Sequence, residues 1–312
     1  MKKILLFIFI LFALCLAAVY IFFSAEITIS DISPSACIPK NVTDCLRDQS
    51  TWRKWWPEGA TTSDSFLTYK KYEYKLVQPF TDGAEIQLKK GETKNKTKIT
   101  VIPFGKDSSM VEWQTSFTSS YNPFKRIAQW FEAKEIKKNM HSVMVSLLNF
   151  ASKTKNIYGF HIERTTFTDT ILAATRFSTS TYPAIEIIYN AVNWLKKKIR
   201  DEGAKEKDFP MLNVREADNS HYETMIAICI NKEIKNEGNI FISRMVPMKD
   251  RFLTTEVMGG PFSIKNAHAA IEKYMDDHFL SAPAIPFEIL ITDRNKEADT
   301  SKWETKIFYP SM

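Results

Sequence analysis

The sequence has few residues of the kinds that build metal and redox centres. It contains four cysteines and five histidines among 312 residues. No two cysteines have the CxxC spacing and no histidines have the HExxH spacing, so we predict neither a metal site nor a cofactor. Cys37 and Cys45 are near neighbours in the sequence. Outside the cytoplasm they could form a disulfide, and two buried thiols are the alternative.

The sequence also has no strong excess of one charge. The formal net charge is +6, and the lysine-rich runs at 89–98 and 196–207 contain acids or amides as well. Such mixed runs are typical of solvated faces, so we predict no nucleic-acid partner. An apolar content of 44% and a charged content of 25% are those of a folded globular protein. The length suits two domains.

Residues 1–24 form a separate segment. Lys2 and Lys3 precede an uncharged run that ends at Phe23. A helix of this length spans about 30 Å, the thickness of a bilayer core. The bulky Phe23 lies three residues before the cut that would follow Ala25, so we predict a retained anchor rather than a cleaved signal. The lysines predict a cytoplasmic N-terminus and extracytoplasmic domains.

Residues 26–155 form the first predicted domain, of the α+β class. A long helix near its end carries one apolar stripe, from Phe124 to Leu147. This order predicts an antiparallel sheet around a long C-terminal helix, with a cavity between them. The predicted elements are strands at 27–33, 66–77, 84–90, 96–104 and 109–117, a short helix after Pro39 and the long helix at about 123–153.

Two segments of this domain resemble the polyketide-cyclase or START-like (SRPBCC) superfamily. One is W-x-x-W-W-P at 52–57, and the other is the long closing segment at 122–150. The resemblance implies a helix-grip fold with a hydrophobic ligand cavity, but it implies no single chemistry. We find no pair of acids and no His–acid constellation in this half that would be called catalytic. The tryptophans are more typical of core and rim than of ligand contacts.

Residues 158–312 form the second predicted domain, and they contain an internal repeat. Three landmarks recur in the same order at offsets of 76 to 81 residues: Pro183 and Pro261, Pro210 and Pro286, and Tyr222-Glu223-Thr224 and Trp303-Glu304-Thr305. Each half reads strand, helix, strand, strand. This pattern predicts a pseudo-twofold α+β domain with a ligand groove between its halves. Strands at 158–167 and 170–178 precede the first helix, and strands at 240–246 and 252–258 precede the second.

The second domain resembles the gyrase-inhibitor-like (GyrI-like) effector-binding domain of multidrug-sensing regulators. The segments that carry the resemblance are 246–262, 285–293 and 303–310. It implies that Glu288 lies in an aromatic-lined pocket and contacts cationic or amphipathic ligands, and that Glu304 is a second acidic position. Some relatives resemble hydrolases that use this glutamate chemically. No helix-turn-helix candidate precedes residue 158, so the DNA-binding half of the regulators has no counterpart here.

Glu288 is also unusual without any resemblance. Phe287 and Ile289 lie on one face of the predicted strand, and Glu288 shares the other face with Leu290. A carboxylate among apolar residues costs free energy unless it is compensated. The repeat aligns Glu288 with Leu212, so the fold itself accepts an apolar residue there. We therefore predict a ligand site, with a structural ion pair to a nearby lysine or arginine as the alternative.

Four further residues are candidates for ligand contact. Trp303 alternates with inward-facing residues, and Tyr189 and Trp194 lie on the helix expected to cover the groove. Glu304 is matched in the repeat, so pocket and surface are equally consistent with it. Core packing is the alternative for the aromatic residues. His268 lies near the apolar face of its helix and is predicted to be a core histidine with its hydrogen bonds satisfied.

The sequence therefore predicts a membrane-anchored protein with two cavity-forming domains. Its predicted ligand is a small hydrophobic molecule or amphipathic cation. A hydrolase-type enzyme with Glu288 as its general base is the alternative. A third interpretation is a partner-binding protein whose groove is closed and whose Glu288 is held in a salt bridge.

Overall fold

The structure is a computed structural model that describes residues 2–57, 62–63, 66–168, 171–218, 221–245 and 249–312. The chain divides into two compact units, Met1–Lys153 and Thr154–Met312. Both are of the α+β class, and each contains one antiparallel sheet.

The first unit begins with an apolar helix and continues as a seven-stranded sheet with two further helices. The strand order is β1-β7-β6-β5-β4-β3-β2. The helices are α1 (Lys2–Phe22), α2 (Pro39–Arg47) and α3 (Pro123–Ala151), and the strands are β1 (Glu26–Ser35), β2 (Thr62–Ser63), β3 (Phe66–Tyr69), β4 (Tyr72–Phe80), β5 (Gly83–Lys90), β6 (Thr93–Pro103) and β7 (Ser109–Thr118).

Helix α1 is long and apolar enough to cross a membrane. It has 21 residues and a mean hydropathy of 3.1 over its most apolar window, and none of that window is buried. A membrane anchor and a signal sequence share this length and composition. Helix α1 therefore agrees with both alternatives for residues 1–24.

The end of α1 is held by α3 and the segment before it. The Arg126 Nε donates to the carbonyl of Phe23 at 2.7 Å, and the Arg126 guanidinium lies 5.0 Å from the Tyr20 ring. The Tyr20 hydroxyl donates to the carbonyl of Tyr121. Phe23 packs edge-on against Trp130 with ring centroids 5.4 Å apart. The chain before the possible cleavage site is thus tied to the rest of the first unit.

Large aromatic and methionine side chains form part of the core of the first unit. Trp52 and Trp56 stack in parallel with centroids 5.7 Å apart, and Trp56 packs on Tyr74. Met140 and Met144 of α3 are fully buried. The tryptophans are therefore core residues, as predicted. Helix α3 ends at Ala151, two residues before the predicted end.

The structure corrects one sequence prediction for the first unit and decides between the two alternatives of another. The predicted strand at 66–77 is two strands, because Lys70 adopts a positive φ of 54° and the chain reverses so that Tyr69 pairs with Tyr72. Cys37 and Cys45 are buried thiols without a disulfide, which is the second of the two alternatives. Burial raises the pKa of the Cys45 thiol to about 12, so it is protonated at neutral pH.

Several buried polar atoms in the first unit have no hydrogen-bond partner among the described residues. They are both amide atoms of Asn139, the hydroxyls of Tyr72 and Tyr74, and the indole nitrogen of Trp55. Such atoms cost free energy unless a water or a ligand satisfies them.

The second unit is an eight-stranded sheet with two long helices on one face. The strand order is β12-β9-β11-β10-β14-β15-β13-β8. The helices are α4 (Thr154–Tyr158), α5 (Ile185–Asp201) and α6 (Pro261–Asp277), and the strands are β8 (Glu163–Thr165), β9 (Ile171–Thr179), β10 (Met211–Asp218), β11 (His221–Cys229), β12 (Ile240–Arg244), β13 (Phe252–Met258), β14 (Phe287–Leu290) and β15 (Glu304–Pro310).

The two long helices pack on separate apolar clusters of the same sheet face. Helix α5 contributes Val192 and Leu195 to one cluster, and α6 contributes Ala267 and Ile271 to the other. A third cluster, centred on Phe287, lies on the opposite face of the sheet. The sequence order strand, helix, strand, strand occurs twice, as β9-α5-β10-β11 and β13-α6-β14-β15.

Some predicted boundaries in the second unit differ from the observed ones. In the predicted strand at 158–167 only Glu163–Thr165 is extended, because α4 occupies residues up to Tyr158 and Gly159 follows with a φ of 84°. The predicted strands at 170–178 and 240–246 begin and end, respectively, at positions outside the described residues. The quoted segment 246–262 also starts with three such positions.

Candidate functional site

A large cavity lies on the helix-covered face of the second sheet. Its volume is about 880 Å³, within the range of roughly 300–1,000 Å³ typical of small-molecule sites. The walls come from α5, α6, β10, β14 and the loop that follows β14. Most of the lining is apolar or aromatic, and the aromatic side chains include Tyr182, Tyr189 and Trp303. This cavity is called the helix-side cavity below.

Glu288 is an acidic residue in the wall of this cavity. It lies on β14 opposite Leu212 of β10 and Ile307 of β15. Its side chain is 12% exposed. Alternation along β14 puts Glu288 on the helix-covered face with Leu290, while Phe287 and Ile289 belong to the opposite cluster.

Two side chains contact the Glu288 carboxylate. The Arg294 guanidinium donates to Oε2 at 3.1 Å, and Nε2 of His268 lies 3.3 Å from Oε1. The ion-pair alternative therefore holds for the structure without a ligand. The cavity is nevertheless open, so the interpretation that requires a closed groove meets only one of its two conditions.

Arg294 is held in place by three side chains. It donates to the hydroxyl of Thr305 at 2.8 Å, and its guanidinium carbon lies 5.0 Å from the Trp303 ring. Its backbone N–H donates to the Tyr189 hydroxyl at 2.7 Å. The buried Nε of Arg294 has no hydrogen-bond partner among the described residues. The arginine thus has a fixed position and one unused donor beside the cavity.

Tyr189 and Trp303 order the loop that carries Arg294. The Tyr189 hydroxyl also donates to the carbonyl of Thr292, and the Trp303 indole donates to the carbonyl of Glu297. The strand predicted at 285–293 is only four residues long. Beyond its end, the contacts of Tyr189 and Trp303 hold the loop in place of strand pairing. Burial raises the pKa of Tyr189, so its hydroxyl stays protonated and can donate while it accepts from Arg294.

A chain of hydrogen bonds continues from Glu288 to the cavity edge. The Tyr309 hydroxyl donates to Glu272 at 2.9 Å and lies 2.8 Å from Nδ1 of His268. Because the tyrosine proton points to Glu272, Nδ1 must donate to the tyrosine oxygen. Nε2 can then donate to Glu288 only when the imidazole carries both protons.

Glu288 is ionised at neutral pH. Burial by itself would raise the pKa of this carboxyl, but the hydrogen bond from His268 and the charge of Arg294 outweigh burial, so the pKa lies below the ordinary 4.5. An ionised carboxylate suits a role in holding a charged group. It suits the role of a general base less well, because a base of low pKa takes up a proton weakly.

The structure brings three of the five predicted ligand residues together. Glu288, Tyr189 and Trp303 all line the helix-side cavity. Glu304 lies on β15 opposite Met258 and is outside that lining. Trp194 is 44% exposed on α5 and is also outside it. The ligand roles of all five remain predictions.

Sequence reasoning missed the two partners of Glu288. His268 was expected to be a core histidine, but it lies half-buried on the cavity wall beside the acid. Its position near the apolar edge of α6 was the available signal. Arg294 gave no signal, because it follows the strand in an irregular loop where no periodicity applies. In the part of the chain that is described, no three His, Cys, Asp or Glu side chains cluster as metal ligands.

Comparison with known proteins finds similarity only in solved structures. No protein-family model matches the chain, and no curated protein matches it. The C-terminal domain of EcmrR is 17% identical, with a TM-score of 0.42, and the match covers 49% of this chain and 98% of that chain. The family of this chain is not fixed by these matches.

Two other solved structures show similarity at the same low level. A hydrolase from Listeria innocua is 11% identical over 48% of this chain and 91% of that chain, with a TM-score of 0.37. A START superfamily protein from Mycobacterium smegmatis is 14% identical over 36% of this chain and 95% of that chain, with a TM-score of 0.25. These similarities carry no conclusion about function.

Proposed function

We propose that this protein is a membrane-anchored binding protein for small hydrophobic or amphipathic molecules. The observation that carries the proposal is the open helix-side cavity, whose mostly apolar wall contains the ionised, buried Glu288. Apolar cavities with a few fixed polar groups are the usual form of small-molecule sites. The apolar lining would hold the body of the ligand, and Glu288 would select its polar group.

The ligand group that Glu288 selects is positively charged in this proposal. Arg294 occupies the place of a cation while no ligand is present, which avoids an unpaired buried charge. A carboxylate has lone pairs for more than two donors, so a ligand cation can join Arg294 or displace it. The rings of Tyr182 and Tyr189 on the same wall add cation–π attraction.

The presence of an acid in only one half of the second unit is consistent with a pseudo-twofold relation between the two halves. Leu212 and Glu288 are direct cross-strand partners on the central strands β10 and β14. In our proposal they are equivalent positions of a duplicated strand-helix-strand-strand unit resembling the GyrI-like domain. One half keeps an apolar residue there, and the other has acquired a ligand-selecting acid.

Retention of α1 as an anchor is part of the same proposal. The contacts of Arg126 with Tyr20 and Phe23 would be lost on cleavage after Ala25, and the buried guanidinium would lose its partners. The two lysines before α1 favour a cytoplasmic N-terminus, with both units outside. A second ligand cavity in the first unit, of the START-like kind, stays a prediction that the unpartnered Asn139 amide supports.

Thermal-shift screening of the full chain in lipid nanodiscs tests the binding function. The library pairs lipophilic cations with neutral and anionic molecules of matched shape. We expect the cations to raise the melting temperature, and Glu288→Gln to weaken their binding about tenfold. Glu163→Gln, at an exposed position of β8 outside the cavity lining, is the matched control and should leave binding unchanged. If Glu288→Gln bound every cation as tightly as the unmodified protein does, the site would be refuted.

A hydrolase-type enzyme is the second candidate, favoured by the contact of His268 with Glu288. Together they supply two acid–base groups beside one cavity, at 3.3 Å from each other. Glu288 would then activate a water molecule as the general base. Turnover of strained or electrophilic small molecules that disappears in Glu288→Gln would establish this function. Binding of such molecules without turnover would count against it.

A further inference from the structure

A second cavity lies on the face of the second sheet that α5 and α6 do not cover. Its volume is about 510 Å³. Its walls include Met211, Met225, Ala227 and Phe252, which belong to or pack on the cluster opposite the helices. Methionine side chains adapt to ligands of irregular shape. This cavity is called the open-face cavity below.

The charge at the open-face cavity is positive. Arg176 and Arg244 are the charged residues of its described lining, and no acid is among them. Arg244 pairs with Glu233. Arg176 is exposed and lies 5.3 Å from the Phe241 ring. No described carboxylate forms an ion pair with Arg176, so its guanidinium remains available to an anion.

We propose that the open-face cavity binds a long-chain carboxylate. The alkyl chain would occupy the space between Met211, Met225 and Phe252, and the carboxylate would bind Arg176. A guanidinium offers two parallel N–H donors that match the two oxygens of a carboxylate. Ser243 lines the same cavity and adds a neutral hydroxyl. This site is separate from Glu288 and selects the opposite charge.

Four residues line both cavities, which limits the choice of test variants. They are Leu212, Asn213, Ile285 and Phe287. The Asn213 amide donates to the carbonyl of Pro286 at 2.8 Å, beyond the end of the β10–β14 pairing. A change at these positions would alter both cavities together. Arg176 lines the open-face cavity and not the helix-side cavity, so it is the residue to replace.

Photo-cross-linking of the full chain in lipid nanodiscs tests this proposal. The probe is dodecanoate with a diazirine on its alkyl chain, and cross-linked peptides are mapped by mass spectrometry. We expect labels on the peptides that contain Met211 and Met225. Unlabelled dodecanoate should compete, whereas dodecyltrimethylammonium, which has the same tail and the opposite charge, should not.

Variants separate this site from the helix-side cavity. Arg176→Gln should lower labelling about tenfold, because a charge-assisted hydrogen bond is lost. Arg176→Lys should retain part of it. Arg164→Gln removes an exposed arginine from β8, away from both cavities, and should change nothing. Glu288→Gln should also leave labelling unchanged, even if the proposed cation site fails.

Three outcomes would overturn the proposal. The first is equal labelling of Arg176→Gln and the unmodified protein. The second is competition by the ammonium compound as strong as that by dodecanoate. The third is labelling confined to peptides outside the open-face cavity, including the case in which a nanodisc phospholipid fills it and dodecanoate cannot displace that lipid.

Discussion

The two faces of the second sheet carry cavities that differ in their charged side chains. The helix-side cavity contains Glu288, buried and paired with Arg294 and His268. The open-face cavity has Arg176 at its edge, exposed and without a carboxylate partner among the described residues. Both walls are otherwise mainly apolar. In our two proposals, the faces of the same sheet select ligands of opposite charge.

The difference in pairing follows from the difference in burial. A charge removed from water costs several kcal/mol, so Glu288 is tolerable only with its partners. An exposed guanidinium keeps its hydration and needs none. Replacing residues of the buried network should therefore change stability as well as ligand affinity. Replacing Arg176 should change affinity alone.

The largest expected effect is that of removing Arg294. Arg294→Met leaves Glu288 buried without its cation and should lower the free energy of unfolding by about 3 kcal/mol. The melting temperature of the second unit should then fall by roughly 6–12 °C. Thermal unfolding followed by circular dichroism measures this change.

A second substitution shows whether the loss comes from the orphaned acid. Glu288→Leu in the Arg294→Met background removes the unpaired carboxylate, and we expect it to recover most of the lost stability. Arg164→Met is the matched control on the same sheet and should have little effect. A double variant as unstable as Arg294→Met alone would show that the ion pair is not what makes Arg294 important.

Lowering the pH should have the next-largest effect, because it weakens the contacts of Glu288 with Arg294 and His268. The pKa of Glu288 is lower in the folded protein than its ordinary 4.5, so the carboxylate contributes stability above about pH 4.5. That contribution is lost as pH falls through the lowered pKa. The melting-temperature difference between the unmodified protein and Glu288→Gln should therefore shrink in this acid range. A difference that stays constant from pH 7 to the acid limit of folding would argue against an ionised Glu288.

Removal of the Tyr309 hydroxyl should have a smaller effect. Tyr309→Phe breaks the link between His268 and Glu272, which is worth about 1 kcal/mol. It leaves the contact of Glu288 with Arg294 intact. Urea titration of both proteins measures the difference. A loss as large as that of Arg294→Met would mean that the outer link, rather than the ion pair, holds the network together.

The smallest expected effect is on the other face. Arg176→Gln should leave the free energy of unfolding within about 0.5 kcal/mol of the unmodified protein, because the guanidinium is exposed. The same urea titration tests it. A clearly destabilised Arg176→Gln would place this arginine in the packing of the sheet and remove the contrast between the two faces.

The parts of the site that follow a repeating pattern could be predicted from the sequence. Alternation along the strand put Glu288 and Leu290 on one face, and the repeat set Leu212 against Glu288. The register makes Leu212 and Glu288 cross-strand partners, and their equivalence in a duplicated unit stays a prediction. The early tryptophans were expected in the core and are buried there. Helical spacing identified the buried part of the α3 stripe, from Ile136 to Leu147, but Phe124 and Phe131, which it also placed on that stripe, are exposed.

The rest of the site depends on contacts that no local pattern encodes. Arg294 reaches Glu288 from an irregular loop held by Tyr189 and Trp303, so its position is set by tertiary contacts. His268 looked like a core residue because helical spacing fixes a face but not what lies opposite it. The open-face cavity went unpredicted, since it requires knowing which sheet face the helices leave uncovered.

The position of a bound cation in the helix-side cavity tests the central claim most directly. The measurement is a crystal structure of the protein with the lipophilic cation that binds most strongly in the thermal-shift screen. Our account predicts the cationic nitrogen within about 4 Å of the Glu288 carboxylate, with Arg294 sharing or leaving that carboxylate. A cation bound elsewhere, with Glu288 still held by Arg294 and untouched by the ligand, would contradict it.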